Sequence, residues 1–416
     1  MTVTSSMPRQ RSIRAWVSAL ALPSGQADPY AIYERIAESG PVVQAPWGGV
    51  LITGYTQARA VLVDGDAWSV LDDTWRDDHQ PAWRSNRALT ALAGAAALSP
   101  AAAHRRQRRI MGPSFTPRAV EGMRPLVRNS VDRHLDALDR ALHEDGDVDF
   151  VPLVSDRLPM DLLQHMLGAS PADTALWSPL AHQVVAAVEL APAAPALQQA
   201  HDAATQISER LEALQHHKSS CPGADLLSQM LTGMSDGTRL EAWEITDNLI
   251  FLLSAAADTA GGMISNAVLA LCRHPEQATW LRNNPDRIPT AVEELVRWDP
   301  PVHLTPRFAT ADLEIAGMPV TAGEGAHIML AAANRDPVLL PDPQRLDLTR
   351  APVDHLGFAA GPHYCMGAAL ARLELSELIQ ALLERFPNLQ LAAPPVYGRR
   401  RIVMRSLRSL PVTLTQ

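Results

Sequence analysis

Cysteine is scarce in this chain. Three are scattered over 416 residues, at Cys221, Cys272 and Cys365, and cysteines so far apart do not read as a disulfide framework. Aromatic residues make up only 5%; with alanine and leucine frequent, that favours helix over sheet. No Gly/Ser linker, charge block or fixed-period repeat interrupts the chain. It therefore reads as one large unit, 13–416, behind a loose polar segment at 1–12. No apolar run approaches the ~20 residues of a membrane span. Residues 15–22 follow several arginines and resemble a short signal-peptide core. Pro23 and polar residues end that stretch without a cleavage pattern, so a cytoplasmic protein is expected. Basic charge is in deficit as well. A net charge of -9 turns away nucleic acid and anionic membrane surfaces. What remains, 47% hydrophobic and 19% charged residues, is the composition of a soluble globular protein.

The most informative stretch runs from 358 to 370. Glycine, proline and small residues come first and predict a tight loop. Cys365 follows, and Leu370, Leu373, Leu375, Leu378, Ile379 and Leu382 then keep close to a 3.6-residue repeat. Cys365 thus sits on a loop that opens a helix, where backbone N–H groups and the helix dipole stabilise a thiolate. One thiolate without companion cysteines cannot hold zinc or an iron–sulfur cluster, but it can be the single axial ligand of a heme iron. A buried structural cysteine on a glycine-rich loop is the plainer alternative. The pattern Phe358-x-x-Gly361-x-His363-x-Cys365-x-Gly367 resembles the heme-binding loop of the cytochrome P450 family, with Ala359 where that family has a second glycine.

Three other motifs fall in the order that family shows. His104 and Arg108 lie four apart, on one side of a helix, within a run of arginines ahead of Phe115-Thr116-Pro117. The resemblance implies that they clamp a heme propionate. It leaves Arg105, Arg106 and Arg109 as an exposed basic face for an acidic electron donor of the ferredoxin and ferredoxin reductase type. Residues 242–273 predict the longest helix, about 32 residues or roughly 48 Å. Its middle carries Ala255, Ala256, Asp258 and Thr259. An acid and a hydroxyl in an apolar helix need partners. Thr259 can bond back to a carbonyl one turn earlier, and Asp258 can pair with a cation. The resemblance makes them a proton relay to bound O2, with Ala256 in place of the usual glycine and narrowing the groove. Glu294 and Arg297 share a helix face. By themselves they are a surface pair worth little; the resemblance makes them a buried brace for the cysteine loop, with Arg345 as third partner. In 299–307, three prolines exclude helix. The resemblance places Val302, His303 and Leu304 against substrate and Arg307 on a propionate, with Met404 or its neighbours closing the pocket. His303 also reads as an ordinary pocket-wall or surface histidine.

Elsewhere the pattern predicts a hairpin at 42–53, helices at 29–39 and 55–63, and helices at 120–142, 160–167, 172–188, 197–217 and 224–231. Short strands are expected at 313–315, 327–330 and 399–415. No pattern survives from 68 to 98. The resemblance assigns that stretch, and the break at 190–195, to the substrate entrance.

The fold class expected is therefore mainly α with a minor β portion: a long central helix over heme b, with the cysteine loop on the opposite side. The implied activity is that of a monooxygenase using O2 to hydroxylate a small organic substrate, plausibly in secondary metabolism, without nucleic acid or membrane as partner. Oxidative coupling, desaturation and peroxide-driven oxidation on the same fold stay open. So do a non-catalytic heme sensor and a heme-free helical scaffold.

Overall fold

The computed structural model describes residues 6–398 and 401–414. Residues 1–5, 399, 400 and 415, which the expected loose N-terminal segment and terminal strands include, lie outside that range. The rest of the N-terminal segment is not loose, since Ser6–Leu20 is a helix. Packing divides the chain into two compact units. One comprises Met1–Val70, Thr290–Cys365 and Val396–Arg408; the other comprises Leu71–Pro289, Met366–Pro395 and Ser409–Gln416. The sequence reads as one unit because neither is a continuous segment, so no linker composition marks a boundary.

The first unit is built on a five-stranded sheet. Its order is Val42–Gln44, Val50–Ile52, Gly325–Ile328, Thr305–Ala309 and Trp68–Ser69. The expected hairpin pairs Val43 with Leu51. Val50–Ile52 then runs parallel to Gly325–Ile328. Val50, Ile52, Ala326 and Ile328 are fully buried and form the core on the sheet with Leu62, Ala333 and Leu356. The strand expected at 327–330 ends at Ile328, and Leu330–Ala333 is already helical.

The second unit is helical. Arg124–Asp145, Leu158–Leu167, Pro171–Val184, Ala194–Ser220 and Leu226–Thr232 match the five helices expected from apolar periodicity. Their boundaries are set by caps; Ser170 and Asp173, for example, form a reciprocal capping box that starts one of them. The stretch from 68 to 98 is more ordered than its pattern. Asp72 caps the helix Asp73–His79, and Asn86 caps Arg87–Gly94. Such short helices carry too few turns for a periodic signal. Trp83 is buried there, donating its indole N–H to Asp77 at 2.8 Å with Arg84 over its ring.

The long helix is continuous over 32 residues, Ala242–Arg273. It consists of Ala242–Ala255, a π turn at Ala256–Ala260, and Gly261–Arg273. By length and apolarity it could cross a membrane, contrary to the reading of the sequence, yet 67% of its most apolar window is buried within the protein. It is a core helix.

Candidate active site

The cysteine loop belongs to the first unit. Its start is tied down by Asn334, whose Oδ1 accepts from the Leu356 N–H at 2.6 Å. Phe358 is buried against the rings of His355 and Tyr364. The Cys365 N–H reaches back to the Phe358 carbonyl at 3.0 Å and closes the loop. His363 ends the 3-10 turn Gly361–His363, Gly367 stands at the N-cap of the helix Ala368–Arg385, and the Cys365 side chain is exposed. A Cβ on Gly367 would meet nothing within 4 Å. Cys221 is exposed as well, whereas Cys272 is half-buried, and burial pushes its thiol up to about 12, away from the thiolate form.

Ala359 has φ 57°. That is the left-handed region, which glycine enters freely and alanine does not. Ala359→Gly is expected to stabilise the protein by about 1 kcal/mol, read as a higher midpoint of urea unfolding.

Glu294 and Arg297 form a buried brace, not a surface pair. Arg297 is 0% exposed and donates to both Glu294 oxygens, at 2.6 and 2.8 Å. It also donates to the carbonyls of Asn334 and Pro343, each at 2.9 Å. Arg345 is not the third ion. Its side chain is exposed, and only its carbonyl meets Arg297, at 3.4 Å. The cation beside Glu294 is Arg350, with Nε 3.4 Å away. The chain turns between 345 and 350, and this turn brings the later arginine back to the helix.

Arg307 is buried, and burial lowers its pKa to about 10. It donates to the Thr305 hydroxyl at 3.2 Å and to the Pro306 carbonyl at 2.7 Å. Among the described residues no carboxylate pairs with it. A buried guanidinium without a counter-ion is costly and calls for an external anion. Val302 is half-buried and bridges to Met404; Leu304 and Met404 are themselves buried.

His303 is not a surface residue; it lines a small cavity together with Tyr33, Met404 and Arg405. It is 3% exposed, with Nδ1 2.7 Å from the Tyr33 hydroxyl and Nε2 3.4 Å from Asp299. Asp299 also accepts from Tyr30 at 2.6 Å and Arg405 at 3.0 Å. Burial would raise the Asp299 carboxyl, but Arg405 and then His303 outweigh it and hold it well below the usual range. His303 is therefore held in a polar network.

In the second unit, His104 is buried and donates from Nδ1 to the Ala96 carbonyl at 2.6 Å; Arg108, one turn on, is half-buried. The expected basic face is largely neutralised. Arg106 grips both oxygens of the buried Glu244, and Arg109 pairs with Asp236. Of those three arginines, Arg105 alone is exposed without such a pair among the described residues. Glu244 and Asp236 lie far off in the chain, so the arginine run by itself could not reveal them.

Asp258 is 1% exposed, and the Nδ1 of His182 lies 3.2 Å from its Oδ1. Thr259 donates to the Ala255 carbonyl at 2.6 Å. Both contacts were open possibilities on the sequence. The π turn adds what periodicity could not show: one extra residue bulges at Ala256–Ala260, the kind of irregularity found at functional sites. Gly261 follows it, where a Cβ would press on the Ser155 carbonyl. His182, Arg350 and Asn334 had no distinguishing signal in the sequence.

Glu374, on the helix after the cysteine, is buried, and desolvation lifts its pKa to about 8. A carboxyl with a raised folded-state pKa contributes stability below its unfolded pKa and loses it as pH climbs through the folded one. Stability should therefore fall between about pH 4.5 and 8. Glu374→Gln is expected to remove about 2 kcal/mol of the decline between pH 6 and 8, measured by urea unfolding at each pH.

Among the described residues, no three His, Cys, Asp or Glu side chains cluster as metal ligands. An exposed single thiol on a braced loop, and a buried cation awaiting an anion, fit heme: one protein ligand to iron, and propionates for Arg307. The cytochrome P450 family model matches residues 180–395. Cytochrome P450 monooxygenase PikC of Streptomyces venezuelae is 35% identical over 394 residues, covering 93% of this chain and 91% of that protein. The 6-deoxyerythronolide B hydroxylase of Saccharopolyspora erythraea is 32% identical over 404 residues, 94% of this chain and 97% of that one. P450BioI, solved with an acyl carrier protein ligated to hexadec-9Z-enoic acid, superposes with a TM-score of 0.86 at 29% identity, covering 94% of this chain and 99% of that one.

Proposed function

The chain belongs to the cytochrome P450 family, in its bacterial type, and on that premise we propose that it is a heme-thiolate monooxygenase hydroxylating a small organic secondary metabolite. The observation that carries this is the Cys365 thiol, exposed on a loop closed by its own backbone bond to Phe358. Heme b, when bound, supplies the iron at which O2 is activated. Cys365 is assigned as its axial ligand. Arg307, His104 and Arg108 are assigned to the propionates, and Phe358, His363 and Gly367 to the loop that shapes the ligand's surroundings. Arg307 suits its role because, among the described residues, no carboxylate pairs with its positive charge.

Asp258 and Thr259 are assigned to proton handling. A carboxyl and a hydroxyl at a π turn can hold and pass protons while the surrounding alanines exclude bulk water. Ala255, Ala256, Val302, Leu304 and Met404 are assigned to apolar substrate contact. The similarity to a P450 monooxygenase and to a 6-deoxyerythronolide B hydroxylase supports oxidation of an organic substrate, and P450BioI supports testing carrier-bound acyl substrates as well as free ones. A ferredoxin-type protein is the proposed electron donor.

The test is spectroscopic. Reduced protein under carbon monoxide should show the long-wavelength Soret band of thiolate-ligated heme, and some member of a panel of macrolactones, fatty acids and carrier-bound acyl chains should shift its spin state. A heme protein without that band would overturn the assignment of Cys365. A band with no spin shift across the panel would favour the non-catalytic sensor.

A further inference from the structure

Val302 and Met404 meet in an isolated antiparallel bridge within the first unit. The His303 N–H donates to the Val403 carbonyl at 2.8 Å, and the Arg405 N–H to the Pro301 carbonyl at 2.7 Å. In this register the bridged residues exchange no hydrogen bond of their own, and their side chains stand closer than in a bonded pair. Two backbone bonds between short segments make a weak clamp. The residue after each member of the pair, His303 and Arg405, adds to it through a buried polar cluster.

The centre of that cluster is the ion pair of Asp299 and Arg405, with Arg405 Nε 3.0 and 3.2 Å from the two carboxylate oxygens. Arg405 also donates to the Gln26 carbonyl, and the Gln26 amide donates to the Arg401 carbonyl. The helix Tyr30–Ala37 supplies two hydroxyls. Tyr30 donates to Asp299 at 2.6 Å, and Arg335 lies 3.2 Å over the Tyr30 ring while donating to the Trp298 carbonyl at 2.7 Å. Tyr33 meets His303 Nδ1 at 2.7 Å, and His303 Nε2 lies 3.4 Å from Asp299. The carboxylate favours the N–H at Nε2, so Nδ1 is left to accept from Tyr33. The cavity that Tyr33, His303, Met404 and Arg405 border is about 10 Å³, room for one water at most. There is little slack between the segments. A buried ion pair strongly disfavours any shift that separates its charges.

We propose that Tyr33, Asp299, His303 and Arg405 are positioning residues that set the spacing of Val302 and Met404, and through it the width of the pocket offered to an apolar substrate. This rests on the reading of Val302 and Met404 as substrate contacts. Each member of the cluster acts through the pair. Arg405 fixes the segment that carries Met404, His303 fixes the segment that carries Val302, and Asp299 joins the two. Tyr33 holds the His303 ring in the orientation that faces Asp299. Loosening the cluster should therefore alter the fit of bulky ligands and leave heme attachment intact.

Two iron-binding probes test this in the ferric holoenzyme without a known substrate. Imidazole fills little beyond the iron, whereas 4-phenylimidazole carries an apolar ring toward the pocket wall. Tyr33→Phe, which removes one hydroxyl, should keep the native carbon-monoxide band and imidazole affinity, and weaken 4-phenylimidazole binding about fivefold. Asp299→Asn should weaken it about tenfold or more. Methyl-13C methionine NMR of the ferrous carbon-monoxide holoenzyme supplies a second readout, with Met404→Leu identifying the resonance. The Met404 methyl line should shift or split in Tyr33→Phe. An unmoved line, or native 4-phenylimidazole affinity in both cluster variants, would overturn the proposal. So would an equal loss of imidazole affinity, which would mean that the cluster supports the heme site as a whole. Val302→Ala and Met404→Ala separate the two readings. If they bind 4-phenylimidazole as the native protein does, the assignment of Val302 and Met404 to the pocket fails. If they change its affinity while the cluster variants do not, only the positioning role fails.

Discussion

Arg297→Ala is expected to destabilise the protein by about 3–5 kcal/mol, read as a lower urea midpoint and a smaller fraction of protein able to bind heme. The reason is local. Arg297 has no exposed surface and spends its donors on Glu294 and on the carbonyls of Asn334, Pro343 and Arg345. Removing it leaves a buried carboxylate and several buried carbonyls without their donor. Asn334 also holds the start of the cysteine loop through Leu356, so the damage should reach Cys365. Arg297→Lys should rescue little, because an ammonium cannot reproduce the fork that meets both Glu294 oxygens. Arg345→Ala provides the contrast. It keeps the carbonyl that Arg297 uses and removes only an exposed side chain, so a change within about 0.5 kcal/mol is expected. Arg350→Ala should fall between the two.

Gly361→Ala carries the second large effect, about 2–5 kcal/mol of lost stability. Two costs coincide at this position. Its φ of 70° lies where an L side chain is strained. A Cβ there would also press on the Leu62 carbonyl and the Val63 Cα, both backbone atoms of a neighbouring helix, which cannot rotate away. The loop can accept the methyl only by moving, and Cys365 is four residues further along. The expected readouts are a lower thermal midpoint and loss of the long-wavelength carbon-monoxide band. Ala359 shows the milder case. It already has a positive φ of 57° and the chain accommodates it. A Gly361→Ala protein with native stability and spectrum would mean that the loop is not held against that helix.

The helices of the second unit were legible because their apolar repeats are long and their caps are local: Ser170 with Asp173 is a signal contained within four residues. The irregular stretch from 68 to 98 was not. Its helices are stopped and started by Asp72 and Asn86 before any repeat can build. The cysteine loop could be read because glycine, proline and a lone cysteine act through the backbone of their own segment. The brace could be read only in part. Glu294 and Arg297 are neighbours on one helix, but whether Arg345 or Arg350 completes them depends on how a later segment turns.

The order of motifs from His104 to Glu374, the long helix at 242–273 and the single thiol at 365 follow from the chain alone, since each depends on residues close in sequence. Which charges are already neutralised did not. Arg106 and Arg109 lost their role as free surface charge to Glu244 and Asp236, His303 was drawn into a network with Tyr33 and Asp299, and Asp258 acquired His182. Such pairings depend on distance in space between residues far apart in sequence, and electrostatic and hydrogen-bond energies fall off within a few ångströms. Only folding sets those distances.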